Sequence, residues 1–198
     1  MWQKTRVDGL NVRYLEEGSG APVILLHGAS LGSSADVWAR NAKPLAAHAL
    51  RVLAPDFPGF GETGNPDDHS VGYRRRFVLA FMDALGVGRA ALVGHSQSGR
   101  VAVDLAFGSP ERIARVIVLG TGSLLPALND ESGREGEEGT AAEPTLDETR
   151  ADLLANLYRH ELVTPEAVET RHRMSLGKNF QAFLARKQAK SEKSGQPA

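Results

Sequence analysis

Cysteine is absent from this 198-residue chain. Disulfides, thiolate metal sites and a cysteine nucleophile are excluded together. Neither sign of charge is in excess: 23 Lys and Arg stand against 24 Asp and Glu, a net charge of −1. No global field therefore draws the chain to nucleic acid or to an anionic membrane. No apolar run approaches the ~20 residues of a membrane span. Residues Met1 to Val7 lack the apolar stretch of a secretory signal. The six histidines include no pair at metal-ligand spacing on one helix. These absences point to a cytoplasmic, soluble protein with no metal, no cofactor, and no nucleic-acid or membrane partner. They allow a homo-oligomer. A hydrophobic content of 41% over this length is enough for one domain with a substantial core.

What is present is organised around Ala90-Ala91-Leu92-Val93-Gly94-His95-Ser96-Gln97-Ser98-Gly99. An apolar run meets a serine boxed in by small residues, and a helical pattern follows. This predicts a strand, a sharp turn and a helix, with Ser96 at the apex in a strained conformation. A hydroxyl so held is exposed at the mouth of a sheet, in front of a helix N-terminus that favours negative charge. Ser96 is the candidate nucleophile. The fifth position of the G-x-S-x-G pattern is Ser98, with Gly99 one place later.

Taken in order, the chain alternates. Two β-prone runs flank Asp8-Gly9, a hairpin signal. Pro22 to Leu26 is a continuous apolar run, as for a strand buried on both faces. It ends in the small-residue loop His27-Gly28-Ala29-Ser30-Leu31-Gly32. Asp36 to Leu50 reads as a helix interrupted near its start by Pro44, and Arg51 to Ala54 as a buried strand. Ser70 caps a helix whose apolar row is Phe77, Val78, Phe81, Met82 and Leu85, closed by Gly86. The opening strand follows, then a helix with Val101, Ala102, Leu105 and Ala106 on its buried face. Arg115 to Gly120 is the next strand. A hairpin followed by strand–helix alternation implies an α/β fold, a mostly parallel sheet with helices on both faces. Ligands bind such sheets beyond the carboxyl ends of the strands, where His27-Gly28 and Ser96 fall.

Beyond Gly122 the texture changes. Asp130 to Glu148 carries eight acids against one base, with Gly133, Gly136, Gly139 and Pro144, and reads as a solvated loop. Thr145-Leu146-Asp147-Glu148 is a capping box opening a helix through about His160. Thr164-Pro165 starts another that ends near Gly177, and Phe180, Phe183 and Leu184 mark a third. The polar, basic stretch from Arg186 reads as a disordered tail. The resulting division is a core at 1–122, a helical lid with the acidic loop at 123–185, and the tail at 186–198.

Several motifs bear on chemistry. The loop after the first buried strand can turn an N–H of Ala29 towards the serine, and the N–H of Gln97 supplies a second oxyanion donor. Gly59-Phe60-Gly61-Glu62-Thr63-Gly64 spells G-x-G-x-x-G but runs into Asn65-Pro66 rather than a helix, so a dinucleotide fingerprint is rejected. His48 and His69 read as surface residues, and His160 and His172 lie on the late helices. None occupies a loop from which a base would meet Ser96. Asp104 reads as an exposed helix residue rather than an orienting acid.

The order of motifs resembles the α/β-hydrolase superfamily: His27-Gly28 after a buried strand, Asp56-Phe57-Pro58-Gly59-Phe60-Gly61, then Ser96. Within it the chain is most similar to the meta-cleavage product hydrolases, which break a carbon–carbon bond in 2-hydroxy-6-oxo-dienoate ring-fission products. That likeness rests on Ala54 to Gly61, Asp83-Ala84-Leu85-Gly86, Gly120-Thr121-Gly122-Ser123 and Thr164-Pro165-Glu166. The resemblance implies a small-molecule substrate, Ser96 as catalytic residue, and Ala29 and Gln97 as the oxyanion hole. It implies that Arg171 on a lid helix binds the substrate carboxylate, with His27, Gly28 and His95 also lining the substrate. Three departures stand out. His95 replaces the family's asparagine, the oxyanion loop lacks a Gly-Pro element, and the two later strands that bear the acid and the histidine are missing. The expectation is a serine hydrolase, catalytically incomplete in this chain. A carboxylesterase or haloperoxidase-like enzyme, favoured by His95, an inactive binding protein of the same fold, and strands supplied by a partner chain are the alternatives.

Overall fold

The computed structural model of the chain describes residues 1–122, 124 and 142–194. Strands β1 (Trp2–Val7) and β2 (Leu10–Glu17) form the expected hairpin. Asp8 and Gly9 both have positive φ, 47° and 80°, as a two-residue type I′ turn requires. Then come β3 (Ala21–Leu26), α1 (Ala39–Ala46), β4 (Leu50–Pro55), α2 (Val71–Ala84), β5 (Ala90–His95), α3 (Ser98–Gly108) and β6 (Ile113–Leu119). One sheet holds all six strands in the order β1-β2-β4-β3-β5-β6. The β1/β2 and β2/β4 pairs are antiparallel, and the remaining pairs are parallel. From β3 the chain steps to β4 on one side and later to β5 on the other. The crevice at that reversal is where open α/β sheets bind ligands.

The period-two alternation of a strand explains the continuous apolar runs. In β3, Ile24 and Leu26 join Phe77, Phe81, Val101 and Leu105 of α2 and α3. Val23 and Leu25 point the other way, against Trp38 and Ala42 on the α1 side. The sheet is thus covered on both faces, as the sequence implied. Ser70 caps α2, its Oγ accepting from Tyr73 N at 3.0 Å.

Helices α4 (Leu146–Asn156), α5 (Pro165–Arg173) and α6 (Lys178–Ser194) form a C-terminal helical region, and no strand follows β6 among the described residues. The capping box at Thr145 is present in full, and Thr164 caps α5 with Pro165 in its first turn. The acidic stretch at 130–141 lies outside the described residues, as does Ser123.

Three sequence expectations are corrected. The helix expected over 36–50 is a short 3-10 turn (Ala35–Trp38) and the eight-residue α1. Pro44 lacks the N–H of a further helical bond, and Ala49 at φ 56° turns the chain into β4, which takes Leu50. The helix from Leu146 stops at Asn156, whose Nδ2 donates to the carbonyl of Asp152 at 2.8 Å; side chains that compete for helix carbonyls favour helix ends. The tail from Arg186 is helical to Ser194. Arg186 lies over the Phe60 ring at 4.0 Å and donates to the Gly59 carbonyl at 3.2 Å, so the helix is anchored where composition suggested disorder.

Candidate active site

Ser96 stands between β5 and α3 with φ 54°, a left-handed conformation that a side chain disfavours. The residues around it leave no alternative. A Cβ on Gly94 would lie 2.4 Å from the Ser98 carbonyl oxygen and 2.7 Å from Gly99 Cα. A Cβ on Gly99 would meet Thr121 Cβ at 2.9 Å. Strand and helix therefore cross at backbone contact. Two hydrogen bonds pin the apex: Ser96 N donates to the Leu119 carbonyl at 2.9 Å, and Gly99 N to the Ser96 carbonyl at 3.0 Å. Gln97 is the residue from which α3 starts, so backbone N–H groups without intrahelical partners lie directly behind Ser96.

The loop after β3 closes on this turn. A Cβ on Gly28 would be 3.2 Å from Ser96 Cβ and 3.3 Å from His95 Nδ1. A side chain at Gly28 would crowd Ser96 and His95, so glycine lets the backbone at Gly28-Ala29 pass close to the turn. His27, expected at the substrate, is instead fully buried. Its Nδ1 lies 2.6 Å from the Gly28 carbonyl, and Phe57 N donates to its Nε2 at 3.0 Å. These bonds fix the neutral tautomer with Nδ1 protonated. Burial lowers the His27 pKa to about 3. His27 thus braces the loop from beneath.

Arg171 of α5 reaches across to the same loop. Its Nη2 donates to Ser30 Oγ at 3.1 Å and its Nη1 to Ser33 Oγ at 3.4 Å. A Cβ on Gly32 would fall 2.8 Å from Arg171 Cδ, so the loop and α5 touch at that glycine. Asp152 lies 3.7 Å from Nη2, a long ion pair. Burial pushes the Arg171 pKa down, with Asp152 opposing. Its positive charge in turn adds to desolvation in lowering His95. His95 stands edge-on to Trp38, ring centroids 6.4 Å apart.

A family model described as alpha/beta hydrolase fold matches residues 21–189. The chain belongs to the α/β hydrolases. It is closely related to the meta-cleavage product hydrolases. It is 35% identical over 164 residues to the 2-hydroxy-6-oxo-6-phenylhexa-2,4-dienoate hydrolase of Burkholderia cepacia, covering 79% of this chain and 57% of that protein. It is 32% identical over 182 residues to a 2-hydroxy-6-oxononadienedioate/2-hydroxy-6-oxononatrienedioate hydrolase of Burkholderia vietnamiensis, covering 85% and 61%. Its structure superposes on the meta-cleavage product hydrolase of Pseudomonas fluorescens IP01 with TM-score 0.76 at 30% identity, covering 90% of this chain and 65% of the other. The chain thus spans less than two thirds of the length of these relatives.

Within this α/β hydrolase, Gly28 lies against Ser96 and His95, and Arg171 reaches the loop that follows Gly28. The other candidates do not join them. His48 and His160 are exposed and His69 is half-buried. His172 Nδ1 meets Thr149 Oγ1 at 3.2 Å, linking α5 to α4. Asp104, expected to be exposed, is half-buried and pairs with Arg100 at 2.7 Å and Arg75 at 3.1 Å. Among the described residues no histidine or carboxylate hydrogen-bonds to the Ser96 hydroxyl, no cluster of three His, Asp or Glu could hold a metal, and no helix is long and apolar enough to cross a membrane.

Sequence reasoning missed three features of the structure around the site. Ser30 and Ser33 hold Arg171. Asp56, fully buried, accepts from Arg13 Nε at 2.6 Å, Ala35 N at 2.7 Å and Glu62 N at 2.9 Å. One carboxylate so fixes both the loop after β3 and the loop after β4. Arg74 is the third, and its signal was present: it occupies the same helical row as Phe77, Val78 and Phe81.

Proposed function

We propose that this chain carries the nucleophile, oxyanion site and carboxylate-binding arginine of a serine hydrolase that cleaves a carbon–carbon bond in 2-hydroxy-6-oxo-dienoate ring-fission products. The observation that carries this reading is the Ser96 backbone at φ 54°, with the glycine of the oxyanion loop held against it. In this reading the Ser96 oxygen attacks the ketone carbon of the substrate. The N–H groups of Ala29 and Gln97 receive the oxyanion, the term that contributes most to acyl-transfer rates. The carbon–carbon bond then breaks, its electron pair passing into the dienoate fragment, which takes up a proton. Water releases the acyl group from Ser96. Arg171, turned to the same loop, binds the substrate carboxylate, a pairing that suits the planar guanidinium. Residues 1–122 act as the core and 123–185 as the lid over the substrate. Turnover by this route needs a base for the hydroxyl, and the described residues do not provide one.

A fluorophosphonate probe tests the nucleophile. Stoichiometric labelling that Ser96→Ala abolishes is the expected result. A folded protein that neither labels nor turns over a chromogenic dienoate would sink the reading. Turnover of a simple aryl ester in preference to the dienoate would favour a carboxylesterase instead.

A further inference from the structure

Arg74, Arg75 and Arg76 follow one another in the first turns of α2, and their fates differ. Arg75 pairs with Asp104 at 3.1 Å and Arg76 with Asp68 at 2.9 Å. Arg74 falls on the apolar stripe and is only 7% exposed. Among the described residues it has no carboxylate partner. Its nearest acceptor is Gln97 Oε1, at 3.5 Å from Nη1, the outer limit of a hydrogen bond. Its guanidinium carbon stands 5.6 Å from the Phe60 ring centroid. Burial alone lowers its pKa, to about 10, with no neighbouring carboxylate offsetting it. It therefore stays charged at neutral pH.

Such a placement is costly. A buried cation without a counter-ion loses hydration that nothing replaces. The amino-terminal turn of a helix is also the wrong end for a positive charge. A leucine would fit the stripe better. Among the described residues its side-chain hydrogen bond is to Gln97, the residue after Ser96, so this uncompensated charge borders the candidate active site. Arg186 packs over the same Phe60 ring from α6, and both arginines act on His69 and His27. Arg171 lies towards the oxyanion loop, bonded to Ser30 and Ser33. Cations from two different elements, α2 and α5, thus meet the residue after the serine and the loop after β3.

We propose that Arg74 is a second anion subsite, which receives a second carboxylate of a dianionic substrate whose first carboxylate sits at Arg171. This rests on the reading of Ser96 and Arg171 given above. The substrate class it selects is a dicarboxylate, with the reacting carbonyl at Ser96 and an acid group towards each arginine.

Binding of nonanedioate and of nonanoate, read by tryptophan fluorescence and calorimetry, tests this. The unmodified chain is expected to bind nonanedioate about tenfold more tightly or better, the worth of one charged hydrogen-bonded contact. Arg74→Gln should erase that preference and leave nonanoate binding unchanged. Arg74→Lys should restore part of it. Arg171→Gln should weaken both probes. Unchanged nonanedioate affinity in Arg74→Gln overturns the second subsite and leaves the reading of Arg171 standing. Indifference of both probes to Arg171→Gln overturns that reading by itself. Failure of the unmodified chain to bind either probe overturns both.

Discussion

The Ser98 hydroxyl donates to the main-chain carbonyl of His27, across 71 positions of sequence. Ser98 is fully buried, as is His27. The bond ties the first turn of α3 to the end of β3, and so sets the distance between Ser96 and the Gly28-Ala29 backbone. This is why a serine is suited to a position where the common pattern has glycine: its hydroxyl satisfies a carbonyl that would otherwise be buried without a donor. Ser98→Ala should cost about 1–3 kcal/mol, the penalty for an unsatisfied buried polar group. Urea denaturation measures it, and an unchanged midpoint would remove the bond from the account.

Strain at Ser96 gives a second expectation. A non-glycine residue at φ 54° carries a cost of about 1–2 kcal/mol that glycine does not. Ser96→Gly should therefore be more stable than Ser96→Ala by about 1 kcal/mol, once glycine's extra freedom in the unfolded chain is subtracted. Both variants should lose fluorophosphonate labelling. Equal thermal midpoints for the two would mean that the turn is not strained.

The fold and this turn were legible in the sequence because their causes are local. Alternating strand faces, caps at Ser70, Thr145 and Thr164, and glycines where chains touch all act within a few residues. The close approach of the loop after β3 to that turn was legible for the same reason. The buried setting of His27 was not legible, because its hydrogen-bond partners include Phe57 N, 30 positions away. Nothing near His27 in the sequence marks it as buried. Arg74 broke the apolar row visibly, yet the meaning of that break depends on Gln97 and Phe60 meeting it in space. Arg186 read as part of a polar tail for want of the Phe60 ring beneath it.

Beneath the two loops, Arg13 and Asp56 form a buried pair. Arg13 also meets Asp36 and Glu62, and its guanidinium lies 4.1 Å from the Trp2 ring. Removing Asp56 takes the one fully buried carboxylate from Arg13 and leaves the half-buried Asp36 and the exposed Glu62, and a buried charge so under-paired costs up to about 3–5 kcal/mol. Asp56→Ala should lose that much, together with the bonds to Ala35 N and Glu62 N. Adding Arg13→Met to Asp56→Ala should recover part of the loss, because the buried cation left short of its main partner is gone. A double variant whose destabilisation equals the sum of the two single ones would show that the pair is not coupled.

His27 makes stability depend on pH with a definite sign. Burial lowers its pKa to about 3; the Gly28 carbonyl opposes, and Arg74, Arg171 and Arg186 reinforce it. An unfolded chain takes up that proton near pH 6.5. Between the two values the unfolded state binds more protons, so the contribution of His27 is complete above about pH 6.5 and falls as pH drops, by about 1.4 kcal/mol per unit. His69 and His95 are also lowered, so they act in the same direction. Comparison with His27→Gln isolates the one residue. The variant should be less stable at pH 7, having lost the fit to Phe57 N and the Gly28 carbonyl. By pH 5 the gap should narrow by about 2 kcal/mol, because only the parent must keep a buried imidazole neutral. Urea melts at the two pH values give both numbers, and a gap that stays constant would mean that His27 takes up its proton equally in the folded and unfolded chains.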